Sequence, residues 1–405
     1  MKALTFLFVA LFTLSLTTGF TQDSTQTEKN AELLSVIPGT TKMVLTGVAW
    51  FGFQAHMNDL DKTIPKTTFN DFGFSPMFLW KLSDKFFFES EIEIMNDGTA
   101  DNSAAFDLEF AKMSFILNKY ITIGAGKMLS PFGAYNERWE PNHIEKFPNA
   151  PLRPDDAILP DDTHLFWGAV MGVDVRGAIP MGPSKLNYCL FVCNGPKLHT
   201  EKEMGGLLQY ENWNDNNSNK EVGGRIGFLP FTNSSLEIGL SGKYGIAGNS
   251  GDSLYKNTGA TAYAVDLSYI KGIDAIKSTI NFRGQFNSVT VDKAEYLLTD
   301  STYYSAFNNT MQSYFAQFSI RPNMLRSKFL KKLELMFRYC AVMPPKDAVW
   351  SPKDNNGQGG NITRMDFGLT WWLSWRTGLR LAYEVQRMPD GSQQKEFIAR
   401  IATGF

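Results

Sequence analysis

The chain has 405 residues, 43% of them hydrophobic and 14% aromatic, and carries 39 Lys and Arg against 41 Asp and Glu. A formal net charge of −2 gives no basic face for nucleic acid, so that class of partner is set aside. Cys189 and Cys193 are four positions apart on one strand face, roughly 13 Å by strand rise and too far to bond; with Cys340 they read as small buried apolar residues, neither a disulfide framework nor a metal site.

Met1 to Thr21 has the form of a secretory signal peptide: Lys2 at the start, an apolar run over Ala3–Leu16, then small residues at Gly19 and Thr21. Residues 22–40 are polar and aperiodic and are expected to form a flexible periplasmic tail. Beyond residue 21 no stretch approaches 18 apolar residues, so no transmembrane helix is expected.

From Thr41 to Phe405 the sequence alternates with a period of two, which makes strands with one dry and one wet face. The first segment, Thr41–His56, sets Leu45, Ala49, Phe51 and Phe53 on one side. The second, Asp71–Leu82, contains Pro76, which removes a ladder hydrogen bond. The third, Phe86–Met95, sets Phe86, Phe88, Ile92 and Ile94 against Glu89, Glu91 and Glu93. The fourth, Phe106–Leu117, slips phase near Phe110, and a bulge is expected there. Segments of the same kind follow at 120–128, 166–178, 186–194, 222–229, 236–245, 261–269, 279–289, 313–321 and 333–342. The last stretch, 362–405, supplies three more: Met365, Phe367, Leu369 and Trp371 alternate with Arg364, Asp366, Gly368 and Thr370, and the chain stops on Phe405. The connections alternate long and short throughout, and the basic turn 322–332 (Arg326, Lys328, Lys331, Lys332) is the poorest fit.

Together these features predict an all-β fold: a transmembrane antiparallel β-barrel of about 16 strands over 41–405, with short periplasmic turns and long extracellular loops, in the bacterial outer membrane. Its partners would be the lipid bilayer, the barrel-assembly machinery through Phe405, and small ions or solutes in the lumen. Closure removes sheet edges, and a barrel of this size leaves room for water inside.

The alternation assigns Glu89, Glu91, Glu93, Arg176, Arg225, Arg283, Arg338, Arg364, Arg380 and Arg400 to the lumen as candidate pore-lining residues. Acids gather on the third segment and arginines on the last six, so charge of opposite sign would face across the water. The alternative is that neighbouring Arg and carboxylate side chains pair off and simply coat the wall. The third long connection, 129–165, holds six prolines and the aromatics Phe132, Tyr135, Trp139 and Phe147. Folded inward, it would narrow the pore with Arg153, Asp155 and Asp156 at the constriction; an external lid or a trimer contact is the other reading.

Motifs for catalysis and metal binding fail on inspection. Gly251-Asp252-Ser253-Leu254 looks like an esterase nucleophile motif, but all four histidines precede it. His56, near the outer end of the first segment, has no evident serine partner. The Asn- and Asp-rich stretches 210–220 and 353–360 lack EF-hand spacing and read as solvated turns rather than calcium sites. No enzyme activity, metal or cofactor is expected.

ITIGAGKMLSPFG (121–133) followed by a proline-rich loop resembles the fifth-strand signature of the phosphate-selective porin O and P family, in the style of its Bacteroidetes versions. FWGAVMGVDVRGAIP (166–180), VCNGP (192–196), GGRIGFLP (223–230), LEIGLSGKYG (236–245) and LELMFRY (333–339) fall in family-like order. The resemblance implies a sixteen-stranded, anion-preferring homotrimeric porin with an inward third loop. Glu89, Glu91 and Glu93 depart from a basic lumen and set phosphate specificity aside. The expected role is passive diffusion of small hydrophilic solutes or ions with a weak anion preference. The alternative is a non-conducting surface barrel whose long loops bind a ligand or host molecule.

Overall fold

The computed structural model describes residues 42–57, 66–96, 104–139, 145–152, 168–210, 213–297 and 304–405. The expected signal peptide and tail, and Arg153, Asp155 and Asp156 of the third loop, lie outside these residues.

In chain order the strands are β1 (Lys42–His56), β2 (Thr67–Lys81), β3 (Phe86–Asn96), β4 (Ala104–Asn118), β5 (Ile121–Leu129), β6 (Ala169–Met181), β7 (Ser184–Asn194), β8 (Lys197–Leu198), β9 (Leu208–Gln209) and β10 (Lys220–Leu229). They continue as β11 (Leu236–Ile246), β12 (Gly259–Ile273), β13 (Ser278–Val291), β14 (Glu295–Leu297), β15 (Tyr304–Ala306), β16 (Thr310–Arg321), β17 (Leu333–Met343), β18 (Ile362–Trp372), β19 (Thr377–Arg387) and β20 (Gln393–Gly404). Sixteen of them form one closed antiparallel barrel, while β8–β9 and β14–β15 are two-stranded ribbons within long loops. Closure is made by β1 against β20, from Val48 opposite Gly404 to His56 opposite Glu396. Beyond the last pair, Phe405 N–H donates to Gly47 O at 3.0 Å and its ring stacks on Phe74.

The burial pattern is inverted relative to a water-soluble sheet. On β18 the polar set Arg364, Asp366 and Thr370 is buried, whereas Phe367 is 50% exposed and Trp371 37%. The same holds on β10, where Glu221 and Arg225 are buried while Val222 and Ile226 are half exposed. An outer surface of this kind is stable only against lipid, and a closed ladder leaves no unpaired backbone there. Among the described residues no helix is long and apolar enough to cross a membrane.

The expected bulge is present. Glu91 lies opposite Phe110 and Ile92 opposite Leu108, so Glu109 is the extra residue on β4. The bulge lets Phe106 and Met113, which differ in parity, both face outward. Pro76 is accommodated opposite Gly47. Several strands run longer than the alternation suggests: β2 begins at Thr67, and β12 reaches Ile273, leaving a tight turn of Asp274–Ile276 closed by Lys277 at φ 49°.

The interior differs from the open, water-filled lumen expected of so many strands. Loops turn inward and pack an apolar cluster on the extracellular half of β12, β13 and β16: Phe132, Tyr135, Leu198, Leu207, Tyr296, Phe307 and Trp350 meet Ala260, Ala262, Val289, Met311 and Phe315. Small alanines on the inner side of β12 make room for these rings. All three cysteines are buried and free, as expected.

Candidate functional site

All ten charged residues assigned to the lumen lie on the inner side of the wall, and most of them are engaged by neighbouring side chains. On β3, Glu89 stands opposite Lys112 and Glu93 opposite Asp107, while Glu91 accepts a hydrogen bond from Ser75 Oγ. Lys112 Nζ lies 2.9 Å from Asp174, and Asp107 lies 3.4 Å from Lys127. Arg400 donates from Nε and Nη2 to Asp71 at 2.6 and 2.9 Å, and Trp50 Nε1 donates to the same carboxylate at 3.0 Å. Arg225 grips Asp266 with Nε and Nη2 at 2.9 and 2.6 Å, and Glu237 accepts from both of its terminal nitrogens at 3.1 Å. Charge-assisted two-pronged contacts of this kind are strong and directional.

The described part of the third loop crosses the barrel and is tied to the wall at several heights. Gly133 N–H donates to Ser241 Oγ at 3.0 Å; Ala134 and Tyr135 N–H both donate to Gln285 Oε1, at 2.7 and 2.9 Å. Gly133 has φ +72°, and a Cβ there would stand 2.4 Å from the Gln285 amide, so two constraints require glycine. A single π-helical turn, Tyr135–Trp139, follows. From it Glu137 pairs with Arg176, Arg138 reaches Glu237 at 2.6 Å, and the Trp139 ring lies 5.9 Å from the Arg283 guanidinium.

Further along, Lys146 pairs with Glu334, and Gln317 Nε2 donates to Glu145 at 3.1 Å. Phe147 packs under Arg338, whose guanidinium carbon is 4.4 Å from the ring centroid. Arg338 is fully buried. It donates to Asp366 at 2.6 Å, to Asn149 O at 3.1 Å and to Ala150 O at 2.9 Å. Arg364 holds the other Asp366 oxygen at 3.0 Å and donates to Ala150 O, and Asn149 Nδ2 donates to Glu384. Arg176, Arg338 and Arg364 therefore bind the loop as well as lining the wall. Arg380 differs: its Nε and Nη1, like Arg283 Nη1, are buried without a hydrogen-bond partner among the described residues.

The loop anchors named here fall on β6, β11, β13 and β16–β19, while the glutamates of β3 stand on the far wall. Two interior cavities of about 370 and 380 Å³ touch the loop from opposite sides. The extracellular one is lined by Gln54, Asn149, Arg364, Glu384, Gln386 and Glu396; the periplasmic one by Pro131, Glu137, Arg138, Arg176, Tyr188 and Arg225.

Sequence reading found the charged wall but missed the loop's neutral acceptors, Ser241 and Gln285, and Asn149 on the loop itself. Each is a common polar residue, and its partner lies far away in sequence. His56 Nε2 lies 3.9 Å from Glu396, a carboxylate neighbour across the closing seam. In the Gly251–Leu254 motif, Asp252 Oδ1 accepts from Leu254 N–H at 2.9 Å, which makes the stretch a turn. Asn217 in the first Asn-rich stretch donates to Ile246 O and Gly248 O at 2.9 Å and so pins two loops together. Among the described residues no three His, Cys, Asp or Glu side chains cluster to hold a metal.

These features define the class: a sixteen-stranded membrane barrel of the outer-membrane type, charged within and partly filled by its own loops. Comparison with solved structures agrees on the fold. The outer-membrane channel DcaP of Acinetobacter baumannii superposes with a TM-score of 0.56 at 12% identity, covering 90% of this chain and 98% of that one. The anion-selective porin from Comamonas acidovorans gives 0.53 at 10% identity, over 90% and 100% of the two chains. OmpT of Vibrio cholerae gives 0.50 at 9% identity, over 91% and 99%. No family model matches the sequence and no curated protein matches it.

Proposed function

We propose that this chain is an outer-membrane porin that lets small hydrophilic solutes and ions diffuse between the inward loop and the wall carrying Glu89, Glu91 and Glu93. The observation that carries the reading is the pair of cavities of about 370 and 380 Å³ on either side of a loop anchored mainly to one side of a closed barrel. A passage between opposed charges sorts ions by sign. Arg283 Nη1 and Arg380 Nε and Nη1, buried without a hydrogen-bond partner among the described residues, support a weak anion preference. The Glu89–Glu93 wall limits that preference and does not favour phosphate specificity. The expected assembly is a homotrimer, and no catalytic step is assigned.

Reconstitution into a planar bilayer tests the reading. Stepwise conductance is expected, with a reversal potential displaced modestly toward the anion potential under a salt gradient. Replacing Glu89, Glu91 and Glu93 together by Gln should raise anion preference; an unmoved reversal potential would take those carboxylates off the ion path. A folded barrel that never conducts would favour a surface-binding role for the long loops, several of which are ordered by the apolar cluster.

A further inference from the structure

The periplasmic rim beneath β16–β19 is unlike the rest of the rim. Its turn 322–332 carries Arg326, Lys328, Lys331 and Lys332, and Arg376 sits in the adjacent turn 373–376, with no Asp or Glu in either. Elsewhere cations in the short turns are balanced or single: Asp84 lies 2.7 Å from Lys81, Asp274 shares its turn with Lys277, and Lys119 stands alone in its turn.

The basic turn does not hang into the periplasm. It bends back over the lipid-facing side, where the Phe329 ring meets Trp371 edge-on at 6.0 Å. Phe329 and Leu335 remain 57% and 59% exposed there, and Trp375 of the neighbouring turn is 79% exposed. Between the two turns lies a cavity of about 390 Å³ lined by Arg321, Asn323, Lys331, Lys332, Trp372 and Trp375. Its cations are positioned by carbonyls and rings: Arg321 Nε donates to Lys331 O at 3.1 Å, Lys332 Nζ donates to Leu373 O at 3.2 Å, and Arg321 lies 5.3 Å from the Trp372 ring. Glu334, which accepts from Trp372 Nε1 at 2.9 Å, is committed to Lys146.

We propose that this pocket binds the headgroup of an anionic phospholipid of the inner leaflet. The phosphodiester oxygens would accept from Lys331 and Lys332 of the turn, and the acyl chains would run up the wall over Phe329 and Leu335. Lysines at a membrane surface attract anionic headgroups, and tryptophans favour the interfacial depth at which those headgroups lie. A soluble phosphate would use the same cations but gains nothing from the exposed rings. The inference needs only a membrane-embedded barrel, so it stands or falls independently of conduction.

The test is lipid retention by the full-length folded barrel in detergent, read by native mass spectrometry against phosphatidylglycerol, phosphatidylcholine and inorganic phosphate. Phosphatidylglycerol should be retained preferentially. K331Q/K332Q should weaken that retention about 25-fold, about fivefold per charge, while K85Q/K119Q on other turns leaves it unchanged. F329S, which keeps every charge, should weaken it as well. K331Q alone, at about fivefold, serves if the double variant folds poorly. Equal retention of the two lipids, or wild-type retention by the lysine variants, overturns the proposal. Millimolar phosphate displacing the lipid while F329S has no effect would assign the pocket to a soluble anion and also overturn it.

Discussion

Arg338 on β17 and Arg380 on β19, two strands apart in the barrel, both point inward and are opposite cases. Arg338 is held by Asp366 and by two loop carbonyls, so its removal leaves the buried Asp366 to Arg364 alone and unties the loop. R338M is expected to cost about 3–5 kcal/mol, read as a lower melting temperature in detergent, and to widen single-channel conductance. Pairing it with D366L should not restore that stability, because Asp366 also holds the buried Arg364, which would then lose its carboxylate. Conductance should stay high, since the loop anchor is still missing. Arg380 has no comparable partner, so R380M should be neutral or stabilising while reducing anion preference. A large loss of stability in R380M would show that an ion or water pairs with it in the folded protein. The inward direction of both side chains was readable from alternation; the difference between them was not, because it depends on residues nearly 190 positions away.

The third loop is the element on which the proposed selectivity would turn. Its proline and aromatic content already suggested an ordered, inward segment, since such residues lose little entropy on ordering and contribute much buried area. Where it attaches could not be read, because Ser241 and Gln285 look like any other inward polar residues. Q285A removes the acceptor of two loop N–H groups and should destabilise by about 1–3 kcal/mol. G133A adds a left-handed backbone penalty and a steric clash at the same anchor. Both variants should increase conductance and its noise; a quiet, unchanged channel in both would mean that the loop is held from elsewhere. The bulge at Glu109, by contrast, was legible to within one residue, because a phase slip in a period-two pattern has no other remedy.

For the molecule as a whole, the closing seam sets cooperativity. Asp71, on β2, ties Arg400 of β20 and Trp50 of β1 together across the junction of the first and last strands. With no free edge anywhere, the barrel is expected to unfold as one unit. D71N should lower its melting temperature in a single transition, whereas a new early transition would reveal a β1–β20 seam that opens by itself.

The sequence alone determined the barrel, its approximate strand count, the side each residue faces and the alternation of short turns with long loops, because these follow from a local period and from the thickness of lipid. Tertiary structure alone decided what fills the barrel: which arginines are spent on holding a loop, which remain free, and where the loops meet Ala260 and Ala262. Those outcomes depend on contacts between segments from 39 to 235 residues apart, and nothing in a local pattern encodes them.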